Sequence, residues 1–216
     1  MSGIKKILLF GAGVASREVL RMIDEINLES LTWEVIGIVD KDPELIGSEL
    51  DGLPILSSED SAIKACTHAT CSIYDPVIRK KVVENEIEPL GLKLATIISP
   101  QVVIPQDMRL EDGVMIYPGT KISFNVHLGK GALVFFNTLL GHDLESGNYS
   151  TVCPSATVNG SVTLGEGAFI GAGATIHQGT SIGDWSTIGI GSTILQDVGE
   201  NKNVMTLPRQ VVTEKK

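Results

Sequence analysis

"SVTLGEGAFIGAGATIHQGTSIGDWSTIGIGSTI", residues 161–194, carries an aliphatic residue at every sixth position. The spacing runs back without interruption to Ile98, and from Ile98 to Ile194 every sixth residue is Ile, Leu or Val except Ser146. Glycine often follows the aliphatic residue, and small residues are common two positions before it. A period of six matches neither an amphipathic α-helix nor a half-buried strand. It predicts a parallel β-helix in which each hexapeptide supplies one short strand and one turn, with the aliphatic side chains stacked inside.

The N-terminal part follows a different pattern, in which short apolar runs alternate with amphipathic stretches. KKILLF (5–10), WEVIGIVD (33–40) and TCSIYD (70–75) are typical of buried strands. GAGVASREVLRMIDEIN (11–27) predicts a glycine turn followed by an amphipathic helix, and PVIRKKVVENEIEPLG (76–91) predicts a second helix with proline at its start. Alternating strands and helices predict a small parallel α/β sheet.

Charge and cysteine usage exclude several classes of protein. The formal net charge of −9 argues against nucleic acid and against an anionic membrane surface as partners. Three cysteines without a CxxC spacing predict free thiols in a reducing compartment. No apolar run approaches the length of a membrane-spanning helix, and the run from Ile7 to Phe10 leads directly into glycines, as a first strand does. We therefore expect a cytoplasmic protein without a membrane span.

The hexapeptide pattern resembles that of the left-handed β-helix acyltransferases. The segments that precede the hexapeptides narrow this resemblance to one branch of the family. In order they are LLFGAGVASREVLRMI (8–23), WEVIGIVDKDPELIG (33–47), DGLPIL (51–56) and IISP (97–100). The chain resembles the bacterial nucleotide-sugar N-acetyltransferases and the sialic-acid O-acetyltransferase-like proteins. This resemblance implies a Rossmann-like nucleotide-sugar-binding domain over residues 1–95 and a left-handed β-helix acetyltransferase domain over residues 96–216. It also implies a homotrimer, acetyl-CoA as co-substrate, and active sites in grooves between neighbouring β-helices.

The turn after the first strand has two interpretations. Ser16 stands where a dinucleotide-binding GxGxxG motif would have its third glycine, so the fingerprint is incomplete. The turn is either a strand-to-helix connection that needs small residues, or a site where backbone N–H groups and a helix N-terminus hold a phosphate. The family resemblance implies the second, with a nucleotide bound by Gly11, Ala12, Gly13, Asp40 and Lys41.

The segment NTLLGHDLESG (137–147) contains the best candidate for a general base. His142 follows the inward Leu140 by two residues, so its side chain should project outward, and Asp143 is adjacent. An imidazole with an unperturbed pKa near 6.5 suits proton abstraction at neutral pH, and a carboxylate can fix its tautomer. The segment also resembles the catalytic segment of the family, which implies His142 as base, Asp143 as its partner and Asn137 near the acceptor. The alternative is a solvated histidine at a corner of the coil.

The resemblance also implies the residues that contact coenzyme A. Thr151 stands where many relatives have a second histidine against the acetyl group. The pantetheine arm would follow Gly160, Gly171, Ala172, Gly189 and Ile190, which are otherwise ordinary turn residues. TLPR (206–209) takes the place of the turn that relatives have near the adenine.

The remaining histidines and cysteines give no stronger candidates. His127 and His177 either line a groove or have a surface or packing role, and His68 lies in the α/β part. A β-helix zinc site would need a third histidine that the spacing does not supply, so no metal is predicted. Cys153 follows an inward valine and is expected to pack rather than to carry an acyl group, which favours direct transfer.

The leading hypothesis is therefore an acetyl-CoA-dependent N-acetyltransferase that acts on a nucleotide-linked amino sugar, such as a UDP-4-amino sugar, in surface-glycan biosynthesis. O-acetylation of a sugar such as sialic acid is the alternative enzyme activity. The alternative that is not an enzyme is a non-catalytic β-helix trimer that serves as a scaffold or ligand sensor.

Overall fold

The computed structural model describes residues 3–206, and the N-terminal part of this range is a six-stranded sheet. Its strands are β1 (Lys5–Phe10), β2 (Trp33–Val39), β3 (Glu49–Leu50), β4 (Leu53–Leu56), β5 (His68–Cys71) and β6 (Lys93–Leu94). They lie in the order β3-β4-β2-β1-β5-β6, and every neighbouring pair is parallel except β3 with β4. The predicted α/β sheet is confirmed, with the β3–β4 hairpin as an addition.

That hairpin makes the sheet mixed rather than purely parallel. Asp51 and Gly52 connect its two strands, with φ angles of 50° and 79°. An Asp-Gly pair with both residues at positive φ is the turn that best matches the twist of two antiparallel strands. The Asp51-Gly52 dipeptide therefore indicates an antiparallel hairpin at this edge of the sheet. The prediction of a purely parallel sheet did not take it into account.

Two helices cover the faces of this sheet. They are α1 (Val14–Glu29) and α2 (Pro76–Val82). Asp75 caps α2, because its side chain accepts a hydrogen bond from the Ile78 N–H at 2.9 Å. The predicted second helix is not regular throughout, since α2 continues as a π-helical segment and then a 3₁₀ turn. These are Val83–Ile87 and Glu88–Leu90, and a further 3₁₀ helix spans Ser61–Ala65.

From Ile97 onward the chain winds as a left-handed parallel β-helix with three faces, which confirms the predicted architecture. Face 1 contains β7 (Ile97–Ile98), β9 (Met115–Ile116), β12 (Leu133–Val134), β15 (Thr151–Val152), β18 (Phe169–Ile170), β21 (Thr187–Ile188) and β23 (Asn203–Val204). Face 2 contains β10 (Lys121–Ile122), β13 (Leu139–Leu140), β16 (Thr157–Val158), β19 (Thr175–Ile176) and β22 (Thr193–Ile194). Face 3 contains β8 (Arg109–Leu110), β11 (His127–Leu128), β14 (Glu145–Ser146), β17 (Thr163–Leu164) and β20 (Ser181–Ile182). We call the turns between faces 1 and 2 the 1–2 edge, and those between faces 2 and 3 the 2–3 edge.

The second residue of nearly every one of these strands points into the β-helix and is buried. The exception in the aliphatic series, Ser146, is also internal, and its hydroxyl lies 2.5 Å from the hydroxyl of Ser150. A buried hydroxyl is tolerated when it has a hydrogen-bond partner, so the polar interruption is satisfied inside the coil and does not reach the surface. The six-residue period ends after Ile194, because Thr187 pairs with Asn203 and the last coil is shorter than the others.

The α/β domain packs on the outside of face 1. The outward residues Ile97, Met115 and Leu133 are buried with residues of β1 and α1 in one hydrophobic cluster. Arg79 of α2 is also fully buried there and donates hydrogen bonds to backbone carbonyls of the β-helix. Residues 3–206 leave faces 2 and 3 without a covering domain. In the part of the chain that the structure describes, no helix is both long enough and apolar enough to cross a bilayer.

Candidate active site

The turn after β13 presents His142 on the 2–3 edge. Its Nδ1 lies 2.8 Å from Oδ2 of Asp143, and 38% of the imidazole side chain is exposed. Asp143 has a φ of 54°, a left-handed backbone conformation that short polar residues tolerate better than most. This conformation places the carboxylate beside the ring of the preceding residue, so the two predicted catalytic side chains are in contact.

Two neighbouring coils hold the imidazole between them. Phe124, one coil earlier, stacks on the ring with centroids 5.3 Å apart and an interplanar angle of 11°. Gly160 lies one coil later, where a Cβ would come within 2.5 Å of Cε1 and 2.7 Å of Cδ2 of His142. The ring therefore has little room to tilt, and glycine is the residue that leaves space for it.

A further neighbour holds the carboxylate. Asn125 Nδ2 donates a hydrogen bond of 2.7 Å to Asp143 Oδ1. This hydrogen bond and the one from His142 lower the pKa of Asp143, so the group stays ionised at neutral pH. An ionised carboxylate accepts a hydrogen bond from Nδ1–H, which leaves Nε2 of the imidazole as the proton acceptor.

The sequence prediction missed Phe124 and Asn125. Neither residue is unusual in its own hexapeptide. Each stands one coil before the residue it contacts, so a search of the positions directly below His142 and Asp143 in the stack would have found both.

The turn after β1 is held by the end of β2. Asp40 accepts hydrogen bonds from the Ala12 N–H at 2.6 Å and from the Asp42 N–H at 3.0 Å. Gly11 has a φ of 98°, a conformation that favours glycine. Gly13 is the exposed N-cap residue of α1 and supplies no side-chain cap. The carboxylate of Asp40 thus holds the glycine turn through the Ala12 N–H and its own loop through the Asp42 N–H.

A cavity of about 200 Å³ lies beside this turn, at the carboxyl ends of β1 and β2. Ligands of open α/β sheets bind at this end of the strands. Lys41 lies on its rim and forms an ion pair with Glu86, with the Nζ and Oε1 atoms 2.7 Å apart. Its walls are mostly apolar, and its lining consists of Phe10, Gly11, Val39, Asp40, Lys41, Ile73, Ile78, Val82 and Glu86. The structure therefore brings Gly11, Asp40 and Lys41 together and adds Glu86 from the π-helical segment.

The residues predicted to contact coenzyme A do not lie together in one chain. Gly160 is on the 2–3 edge against His142, whereas the other four turn residues are on the 1–2 edge, together with Asn137. Ile190 is 78% exposed there, and a Cβ on Gly171 would come within 2.7 Å of the Ile188 carbonyl oxygen. The full width of face 2 separates the two edges, so residues of both edges can share a groove only if a second copy supplies one of them.

Thr151 lies away from both edges. It is fully buried on face 1, where its hydroxyl donates to the Tyr74 carbonyl at 3.0 Å and accepts from Arg79 Nη2 at 2.8 Å. Its N–H donates to the Ala168 carbonyl. This placement corrects the predicted contact with an acetyl group, because the hydroxyl is enclosed between the two domains and already has its partners.

The other titratable candidates have local roles. His127 Nδ1 lies 2.9 Å from Glu145 and its Nε2 lies 3.2 Å from Glu111, both on face 3. Burial raises the pKa of Cys153 to about 11, which keeps that thiol protonated at neutral pH and makes it a poor nucleophile. Within residues 3–206 no three His, Cys, Asp or Glu side chains are grouped so that they could hold a metal ion. The TLPR segment lies outside the described residues beyond Thr206.

Comparison with known families matches both parts of the chain. Residues 6–85 match the family model described as the PglD N-terminal domain, and residues 161–196 match the bacterial transferase hexapeptide model of six repeats. The predicted combination of these two parts is thereby confirmed: an α/β domain of the PglD type precedes a hexapeptide-repeat β-helix. A comparison with curated protein sequences gives no significant match.

Solved structures share the whole architecture. PerB from Caulobacter crescentus, solved with CoA and GDP-perosamine, superposes with a TM-score of 0.84 at 24% identity over 98% of this chain and 99% of that one. WeeI from Acinetobacter baumannii AYE gives 0.83 at 24% identity over 96% and 100%. The acetyltransferase domain of PglB from Neisseria gonorrhoeae FA1090, solved with acetyl coenzyme A, gives 0.70 at 22% identity over 97% and 100%. At these identities the similarity establishes the fold.

Proposed function

We propose that this protein is an acetyl-CoA-dependent N-acetyltransferase that acts on a nucleotide-linked amino sugar in surface-glycan biosynthesis. The observation that carries the proposal is the His142–Asp143 pair at an edge of the β-helix, with Nδ1 bonded to the carboxylate and 38% of the histidine side chain exposed. Two of the structures with the same architecture support the class of substrates, since one was solved with CoA and GDP-perosamine and another with acetyl coenzyme A. The predicted cytoplasmic location stays a prediction.

The site would act by positioned proton transfer. Acetyl-CoA supplies an acyl thioester that an unprotonated amine can attack. Nε2 of His142 accepts the proton that the amine loses as the new C–N bond forms, and it can return that proton to the departing thiolate. Asp143 stabilises the imidazolium in between, because its ionised carboxylate lies 2.8 Å from Nδ1. Phe124 and Gly160 keep the ring in the plane from which Nε2 reaches the amine.

The protein is proposed to work as a homotrimer. The 2–3 edge carries His142, and the 1–2 edge carries Asn137, Ala172 and Ile190, so a groove between two copies would unite what one chain separates. The small residues of the 1–2 edge suit the thin pantetheine arm, which can approach exposed backbone there. Exposed apolar residues on and near these edges, Phe124, Leu139, Ile190 and Leu195, are consistent with a partner surface.

The nucleotide is proposed to occupy the cavity at the carboxyl ends of β1 and β2. We expect Asp40→Ala to weaken binding of GDP or UDP roughly tenfold, because the Ala12 N–H of the glycine turn loses its acceptor. Isothermal titration measures this change. The His142→Ala protein, whose cavity is intact, serves as the control and should bind as the wild type does. Equal affinities for wild type and Asp40→Ala would remove the turn from nucleotide binding.

Gly160→Ala tests whether the imidazole needs the space above it. The backbone of Gly160 is not in the left-handed region, so the added methyl acts through its overlap with the ring. We expect kcat to fall about a hundredfold, in line with the cost of misplacing a catalytic group by roughly 1 Å. Gly199→Ala is the matched control, because a Cβ at Gly199 meets open space. Comparable kcat values for the two variants would contradict the packing role of Gly160.

The decisive test of the activity is thiol release from acetyl-CoA with a panel of UDP- and GDP-linked 4-amino sugars and free sialic acid. Labelled acetyl groups then show whether the product is acetylated on nitrogen or on oxygen. We expect turnover with a nucleotide-linked amino sugar and label on nitrogen. Label on oxygen would establish the alternative enzyme activity, and no thiol release with any acceptor would favour the non-catalytic scaffold.

A further inference from the structure

We propose that Asn125 is a positioning residue of the acetyl-transfer site: its side-chain amide holds the Asp143 carboxylate so that His142 carries its proton on Nδ1 and presents a bare Nε2. This inference rests on the proposed function, since it concerns the same histidine. It assigns a role to a residue whose side-chain hydrogen bond goes to the carboxylate and that acts on the imidazole through it.

The backbone explains why Asn125 can reach its target. Asn125 has a φ of 53° and Asp143 a φ of 54°, and the two residues occupy the same turn position on consecutive coils. Their side chains therefore leave the 2–3 edge in similar directions. The N–H of Asn125 donates to Asp107 Oδ2 at 2.9 Å, so the turn of Asn125 is itself anchored on the coil below. A polar chain thus runs up the edge from Asp107 through Asn125 to Asp143 and His142.

The chemistry of the carboxylate explains why an amide is needed. Each oxygen of Asp143 has one partner in this arrangement, Oδ1 with the Asn125 amide and Oδ2 with the imidazole. The side chain is 42% exposed, so without the amide it could rotate and bond with water instead. An imidazole that loses its partner on Nδ1 can move its proton to Nε2, and the base is then blocked.

Asparagine also suits the turn itself, because it tolerates the left-handed conformation. A merely structural role in the turn must therefore be separated from a positioning role. Asn125→Gly keeps the backbone conformation and removes the amide. Asn125→Asp keeps the shape and replaces the donor with an oxygen that repels Asp143. Asn201→Asp is the matched control, since Asn201 is an exposed asparagine with a φ of 55° at another turn.

Steady-state kinetics with acetyl-CoA and the amino-sugar substrate give the first measurement. General base catalysis contributes roughly 10²–10⁴-fold, and these variants misplace the base without removing it, so kcat should fall by about tenfold to a hundredfold. Asn125→Asp should lose more than Asn125→Gly, and both KM values should stay within about twofold because no substrate contact is lost. Asn201→Asp should match the wild type. A kcat within about twofold of wild type for both Asn125 variants would overturn the proposal.

The tautomer of the imidazole gives a second measurement that does not depend on turnover. The protein has four histidines, so imidazole nitrogen spectra of ¹⁵N-histidine-labelled protein are assignable by comparison with the His142→Gln variant. We expect the Nδ1–H form of neutral His142 in the wild type and a larger share of the Nε2–H form in both Asn125 variants. A lower kcat with an unchanged tautomer would also overturn the proposal. The proposed function fails separately, if the wild type releases no thiol from acetyl-CoA with any acceptor of the panel.

Discussion

His142→Ala lowers kcat by about 10²–10⁴-fold if the imidazole is the general base, because no other side chain in contact with it can accept a proton in the same place. One partner, Phe124, is a hydrocarbon ring, and the other, Asp143, is a weak base because the hydrogen bond from Asn125, which the substitution leaves in place, lowers its pKa. The substitution should leave the fold intact, since the imidazole is on the outside of the coil and is partly exposed. Stopped-flow or steady-state thiol release measures the loss, and light scattering measures the oligomer.

His177→Ala is the matched control for this change. His177 is an exposed histidine that follows the inward Ile176 of β19, so it shares residue type and the 2–3 edge with the candidate base but has no hydrogen-bonded neighbour among the described side chains. It should retain wild-type turnover. Loss of activity in both variants would point to a general effect on assembly, whereas full activity of His142→Ala would remove this residue from the mechanism and leave the β-helix without a known base.

The coil register could be predicted from the sequence because the interior of a β-helix imposes one rule on every hexapeptide. An inward position is enclosed by equivalent positions of the coils above and below, so only side chains of similar size and polarity stack there. Ser146 breaks the pattern in composition but not in geometry, since Ser150 satisfies its hydroxyl inside the same coil. Its buried partner, rather than a functional role, accounts for the exception.

The six-residue period does not predict which outward side chains are buried and which are exposed. Thr151 and Thr157 are both outward threonines on consecutive strands, but the first is enclosed under the α/β domain and the second is not. Which face the domain covers depends on contacts between residues far apart in the chain. A local signal did exist in the apolar outward residues Met115 and Leu133 of face 1, because outward aliphatic side chains on neighbouring coils predict a covered face.

Resemblance to a family segment singled out His142 and Asp143 as the candidate pair, whereas Phe124 and Asn125 were missed and Gly160 was predicted only as a contact of coenzyme A. His142 and Asp143 are adjacent in sequence, so a short motif captures them. Phe124, Asn125 and Gly160 belong to other coils and meet the pair only because the stack aligns equivalent turns. In a β-helix, equivalent residues of consecutive coils are neighbours in space although they are 18 residues apart in the sequence. A search for short sequence motifs therefore finds only part of such a site.

The junction between the two domains is expected to depend on Arg79 more than on any other polar residue. Its guanidinium is fully buried without a carboxylate among its hydrogen-bond partners, and burial lowers its pKa to about 10, so it remains charged at neutral pH. The charge is balanced instead by oxygens that converge from both domains. They are the carbonyls of Ile73, Tyr74, Gly131, Tyr149 and Ser150 and the hydroxyl of Thr151.

Arg79→Met keeps much of the side-chain volume and removes every one of these donors. Buried carbonyls left without a donor each cost about 1–3 kcal/mol, and partial relaxation reduces the sum, so we expect a loss of about 3–5 kcal/mol in the free energy of unfolding. For a chain of this size each kcal/mol lowers the melting temperature by roughly 2–4 °C. Calorimetry and urea unfolding measure the loss. The difference from wild type should not change between about pH 6 and pH 9, because a group with a folded pKa near 10 binds its proton in both states there.

Arg17→Ala is the control that separates burial from charge. Arg17 makes a two-point ion pair with Asp51, at 3.0 and 2.9 Å, but this pair lies on the exposed surface of the α/β domain. Water and salt screen an exposed ion pair, so the melting temperature of Arg17→Ala should stay close to that of the wild type. If the two arginine variants showed equally small decreases in melting temperature, the apolar contacts on face 1 would be sufficient to hold the α/β domain. The hydrogen bonds of Arg79 would then contribute little to stability.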